Sequence, residues 1–137
     1  MEIFPFNDPL FAVKLTGEQL RRAVGFMLRD EAFIDGDHTE WYQFSKGFFC
    51  EYDRATHSIV SMKVNGKEVK DSDLFTVALQ EYHFMNMKEN LDVEPDEAEK
   101  NGTAFEVATK CANVLQEYFK RHDHLEVDGE QRLVIRD

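Results

Sequence analysis

Basic residues are few in this chain: 16 Lys and Arg stand against 27 Asp and Glu, a formal net charge of −11. That balance excludes a nucleic-acid backbone as partner, which needs a basic footprint. It also disfavours an anionic membrane surface, and a solvated, solubilising exterior accounts for it. No apolar run approaches the roughly 18 residues of a membrane-spanning helix. Cysteine is down to Cys50 and Cys111, in the apolar contexts FFCEY and TKCANVL. They lack metal-type spacing and read as buried, reduced thiols. Neither G-x-G-x-x-G nor G-x-x-x-x-G-K-[ST] occurs, so dinucleotide and P-loop readings fail. The opening MEIFPFNDPLF lacks the basic n-region of a secretory signal. Apolar from its first residues, it reads as part of a piece cut from a longer protein, and localisation stays open.

What the chain has is length for one domain and material for a core. Its 137 residues are 42% apolar and include twelve Phe. The run Leu10 to Leu15 is long enough for one strand. Thr16-Gly17-Glu18-Gln19 then has the form of a capping box, with Thr16 and Gln19 able to satisfy each other's backbone amides. Leu20, Ala23, Val24, Met27 and Leu28 follow on one helical face, which predicts a helix over about 17–30. Asp35-Gly36-Asp37-His38 is a polar turn. Extended segments are expected over about 42–52 and 58–64, with Asn65-Gly66 as a hairpin turn. The run 74–82, LFTVALQEY, is too continuously apolar for a half-exposed strand and reads as a central one. Residues 85–103 are acidic and irregular, with Pro95 and Gly102 as breakers and room for one short helical turn but no clear period. Val107, Cys111, Val114, Leu115, Tyr118 and Phe119 then predict a second long helix over about 104–121. Asp128-Gly129 is a turn before a last short strand at Leu133-Val134-Ile135. The class is α+β: one domain spanning 1–137, with a mixed β-sheet, two long helices and β-hairpins.

No complete catalytic set appears. His122-Asp123-His124 offers two imidazoles near a helix end without a third ligand at metal spacing, so a polar helix terminus is the simpler account. Asp35, Asp37 and His38 lack the ligand period of a calcium loop. Ser45 has no G-x-S-x-G frame, and Cys50 between Phe49 and Glu51 is poorly placed for a thiolate. Catalytic residues and metal ligands are therefore expected to be absent from this chain, and the domain alone is expected to be inactive. Aromatics remain: Trp41, Tyr42, Phe44, Phe48, Phe49 and Tyr52 crowd one segment. Alternate members of a strand pack inward. Trp41 follows a polar turn, where a flat ring can be left to stack on a nucleobase.

The order of these segments resembles the C-terminal domain of the 5′-nucleotidase/UDP-sugar hydrolase family. Phe4-Pro5-Phe6-Asn7 followed by Leu15-Thr16-Gly17-Glu18-Gln19-Leu20 is similar to the family's opening. Trp41-Tyr42-Gln43-Phe44-Ser45 before Tyr52-Asp53, the Val64 to Val69 hairpin, Phe75 to Leu79, and Asp128-Gly129 with Arg132 continue the likeness in order. The resemblance implies a substrate-recognition domain for a nucleoside or nucleotide. Its partner would be an N-terminal metallophosphoesterase domain of the same parent chain, which holds the divalent metals and hydrolyses phosphate esters. Trp41 falls at the position of one of two rings that sandwich the base. The second ring normally follows a GGDGF loop, and here the strand runs instead into Glu81-Tyr82-His83-Phe84-Met85. Phe84 or Tyr82 would have to supply that ring, with 83–103 as a reshaped pocket wall. The missing glycines also favour an alternative, a degenerate domain serving as a structural or dimerisation module.

Overall fold

The computed structural model describes residues 8–34, 43–108, 110–122, 124 and 129–137. Strand β1 (Leu10–Thr16) organises the first sheet, pairing antiparallel with β5 (Leu74–Gln80) on one side and with β6 (Phe105–Ala108) on the other. Four further strands, β2 (Phe48–Asp53), β3 (Ser58–Val64), β4 (Lys67–Glu68) and β7 (Leu133–Arg136), form a second sheet in the order β4-β3-β2-β7. That sheet is mixed: β2 runs antiparallel to β3 and parallel to β7. The turn joining β3 to β4 is the expected one, with Asn65 at φ 52° and Gly66 at φ 81°, the two positive values a tight hairpin requires.

Helix α1 (Gly17–Met27) joins the two sheets into one domain. Its first turn is anchored three ways. Thr16 and Gln19 form the capping box, the Gly17 amide donates to the Asp73 carbonyl at 2.7 Å, and the Glu18 amide donates to that of Asp71 at 3.2 Å. A Cβ on Gly17 would lie 1.9 Å from the Lys70 carbonyl oxygen, so only glycine admits this approach. Beyond the cap, α1 divides its apolar face between two cores. Ala23 packs with Val13, Leu15, Met87, Leu91, Val93 and Ala98, while Val24 packs with Leu28, Phe48, Cys50, Tyr52, Met62 and Val69.

Several expectations are corrected. The first helix ends at Met27, and Asp30–Phe33 forms a separate 3₁₀ turn. The helix expected over 104–121 starts only at α5 (Cys111–Arg121), because Phe105–Ala108 are taken by pairing with β1. The strand read as central, β5, is an edge strand with alternate residues exposed, and β1 holds the centre. The extended segment expected from 42 begins as a strand at Phe48. The stretch 85–103, read as irregular, carries short helices: the last residue of α2 (Glu81–Met85), then α3 (Met87–Leu91) and α4 (Pro95–Glu99). Their apolar positions are too few per element to show a period, but Met87, Leu91, Val93 and Ala98 are all buried. The polar turn at 35–38 and Asp128 lie outside the described residues, as does the side chain of Cys111.

Candidate functional site

A cavity lies where the short helices close over β1. It encloses about 230 Å³. Val13 of β1 forms its floor. Phe84, Met85 and Met87 line it from α2 and α3, Pro95, Ala98 and Glu99 from α4, and Gly102 and Ala104 complete the rim. The lining is hydrocarbon, aromatic ring and thioether, with Glu99 as its one ionisable side chain. Such a surface suits a flat, largely apolar group with a polar edge.

The wall owes its position to a polar network on the opposite side of α4. Pro95 begins that helix and Glu94 caps it, with the Glu97 side chain reaching back to the Glu94 amide at 2.9 Å. The Glu97 carboxylate also accepts from Arg22 of α1, whose guanidinium donates in addition to the Asp92 carbonyl at 2.9 Å and to Glu18 at 3.1 and 3.2 Å. Buried Gln19 donates to Glu97 at 3.2 Å and accepts from Asn101 at 2.7 Å, and Asn101 donates to the Lys14 carbonyl at 3.0 Å. Hydrogen bonds from Arg22 hold the Glu97 carboxyl down at about 2 against the ordinary carboxylate value, and Glu97 and Glu18 push the guanidinium value further up. This network clamps α4 onto α1 and so sets the distance between Ala98 and Val13. The sequence exposed one corner of it, the capping-box Gln19. The 78-residue separation of Gln19 from Glu97 hid the rest.

Of the candidate base-contacting residues, Phe84 sits in the cavity wall, its ring stacked on Phe11 with centroids 4.4 Å apart and planes 10° apart. Tyr82 is 56% exposed and meets His83 edge-on at 5.5 Å, without lining the cavity. Trp41 lies outside the described residues. Phe44, from the same aromatic-rich segment, stacks on Phe48 at 4.4 Å against the second core, and Phe48 and Tyr52 are buried in that core.

Cys50 and His122 are occupied structurally. Cys50 is buried and unpaired with another cysteine, and burial pushes its thiol up to about 11, far from a reactive thiolate. The His122 ring stacks on Tyr118 at 4.0 Å, and its Nδ1 lies 2.8 Å from the Tyr118 carbonyl at the end of α5. Among the described residues no three His, Cys, Asp or Glu side chains gather where they could hold a metal ion. None of the described helices is long and apolar enough to cross a membrane.

Comparison with known proteins supplies the frame for this geometry. The fold is similar to a 5′-nucleotidase precursor from Thermus thermophilus, with a TM-score of 0.67 and 17% identity over 98% of this chain and 26% of that one. It is similar to the NAD nucleotidase of Haemophilus influenzae, with a TM-score of 0.72 and 16% identity over 97% of this chain and 25% of the other. A putative 5′-nucleotidase from Staphylococcus aureus, solved in complex with alpha-ketoglutarate, gives 0.62 and 12% over 98% and 28%. At these identities the likeness shows the fold alone, and this chain spans about a quarter of each of those chains. No curated protein matches the sequence. The family model for the 5′-nucleotidase C-terminal domain matches residues 1–93, from before β1 through the start of the cavity wall. With two thirds of its length so matched, and the fold continuing past the match, this chain belongs to the 5′-nucleotidase C-terminal domain family.

Proposed function

We propose that the chain is the nucleoside- or nucleotide-recognition domain of a 5′-nucleotidase-like hydrolase of phosphate esters. The observation that carries this is the apolar cavity walled by the Phe84 ring in a chain of that family. Aromatic stacking on a base contributes on the order of 1–3 kcal/mol, and the thioethers of Met85 and Met87 add soft, polarisable contact. Trp41 would supply a second ring and Tyr82 a contact outside the cavity. The divalent metals and the ester hydrolysis would belong to an N-terminal metallophosphoesterase domain of the same parent chain. The present residues would bind and orient the substrate.

Trp41 is the sole tryptophan of this chain, so the difference in fluorescence between the parent protein and its Trp41→Ala variant reports on the site. Titrating adenosine or uridine into the parent protein should quench it saturably, and Trp41→Ala should abolish the signal. No change up to millimolar nucleoside would sink the reading.

One observation favours a second reading, a structural or dimerisation module. Phe105 and Val107 of β6, with Val114, Tyr118 and Phe119 of α5, are each 43–56% exposed. Sedimentation of the chain across a concentration series separates the two. A dimer weakened by Tyr118→Ala, with no nucleoside binding, supports the module.

A further inference from the structure

We propose that Glu99 sets the base preference of the cavity, selecting a nucleobase that carries an exocyclic amino group. The inference rests on the nucleoside reading above and deepens it. Stacking alone distinguishes bases poorly, because every base presents a π-face to an aromatic ring. Discrimination must come from a polar group at the edge of the ring. Around this cavity the side chains of Val13, Phe84, Met85, Met87 and Ala98 offer no strong hydrogen-bonding group, which leaves Glu99.

A carboxylate is acceptor-only. Beside an apolar wall it pairs favourably with an amino donor and sets its charge against a carbonyl oxygen. Adenine, cytosine and guanine present an amino group at the pairing edge, whereas uracil and hypoxanthine place a carbonyl where cytosine and adenine carry theirs. The neighbouring carboxylate cannot take this role. Glu97 is engaged by Arg22, Gln19 and the Glu94 amide on the other side of α4. Nor is Glu99 neutralised, since among the described residues no Lys or Arg forms an ion pair with it. The unpaired Glu99 carboxylate makes the rim anionic, so the base end of a nucleotide enters here and its phosphate stays outside.

Isothermal titration of adenosine, cytidine, inosine and uridine into the parent protein tests this. The amino-bearing members of each pair, adenosine over inosine and cytidine over uridine, should bind about tenfold tighter or more. Glu99→Gln, which adds a donor at the same length, should bring the pairs to near-equal affinity, chiefly by strengthening inosine and uridine. Because Glu99 is exposed on its helix, the circular dichroism of the variant should be unchanged. Equal affinities within the pairs for the unmodified protein, or a preference that survives Glu99→Gln, would overturn the role of Glu99 while leaving nucleoside recognition standing. Absence of binding by all four would overturn both.

Discussion

Helices α1 and α5 invite comparison, because each has eleven residues and each carries an apolar stripe. In α1 the stripe is used on both flanks, Ala23 against one core and Val24 against the other, and the first turn is capped by Thr16 and Gln19. In α5, Lys110 at the N-cap makes no side-chain hydrogen bond, and Val114, Tyr118 and Phe119 remain 43–48% exposed. An amphipathic pattern thus states that a face can be buried, and it does not state against what. Stability in α1 comes from tertiary packing rather than from helix propensity, as expected for a helix too short to persist alone. Helix α5 follows directly on β6, which pairs with β1 on one side only, so this end of the domain keeps its apolar surface toward solvent.

The difference can be broken most sharply in the cores. Met62, fully buried in the cluster that Val24 closes, should cost about 2–5 kcal/mol as Met62→Ala. Phe119→Ala on α5 should stay within about 0.5 kcal/mol. Urea denaturation of the two variants would read both, and equal losses would show that α5 is packed in solution.

A smaller effect belongs to the polar clamp on α1. The Glu97 carboxyl is lowered from 4.5 to about 2, chiefly by its hydrogen bonds from Arg22. Its folded value lies below its unfolded one, so its contribution is fully present above about pH 4.5 and is lost as the pH falls toward 2. Allowing for partial solvent screening, the loss is roughly 1 kcal/mol. Stability measured over this window should fall more in the unmodified chain than in Glu97→Gln, which lacks the carboxylate at every pH. Parallel curves would refute the clamp.

The smallest test compares the caps. Thr16→Ala should destabilise the domain by about 1 kcal/mol. Lys110→Ser, which gives α5 the cap it lacks, should add a few tenths of a kcal/mol, seen as slower amide exchange in the first turn of α5 rather than a higher Tm.

Local rules made much of this readable in advance. Thr16 and Gln19 cap α1 as their spacing required, β3 spans Ser58–Val64, and Asn65-Gly66 turns the chain with positive φ at both residues. Each of these depends on residues within a few positions of one another. The candidate site was less legible. Of the two substitute rings the sequence offers, Phe84 lies in the cavity wall and Tyr82 does not, and neither Glu99 nor the Arg22–Glu97 clamp is visible along the chain. Residues 105–108 fit a helical stripe as well as they fit a strand, and pairing with β1 decided between them.

By itself the sequence determined the α+β class, the capped first helix, the hairpin, the acidic surface and the family, because local backbone chemistry and motif order carry these. Only the tertiary structure decided that β1 rather than β5 lies central, that β7 runs parallel to β2, and that three short helices close an apolar cavity over Val13. The physical reason is range. Strand order, register and the closing of a cavity depend on contacts between residues far apart along the chain, such as Gln19 and Glu97, 78 positions from one another. Their energies exist only once the chain has brought them together.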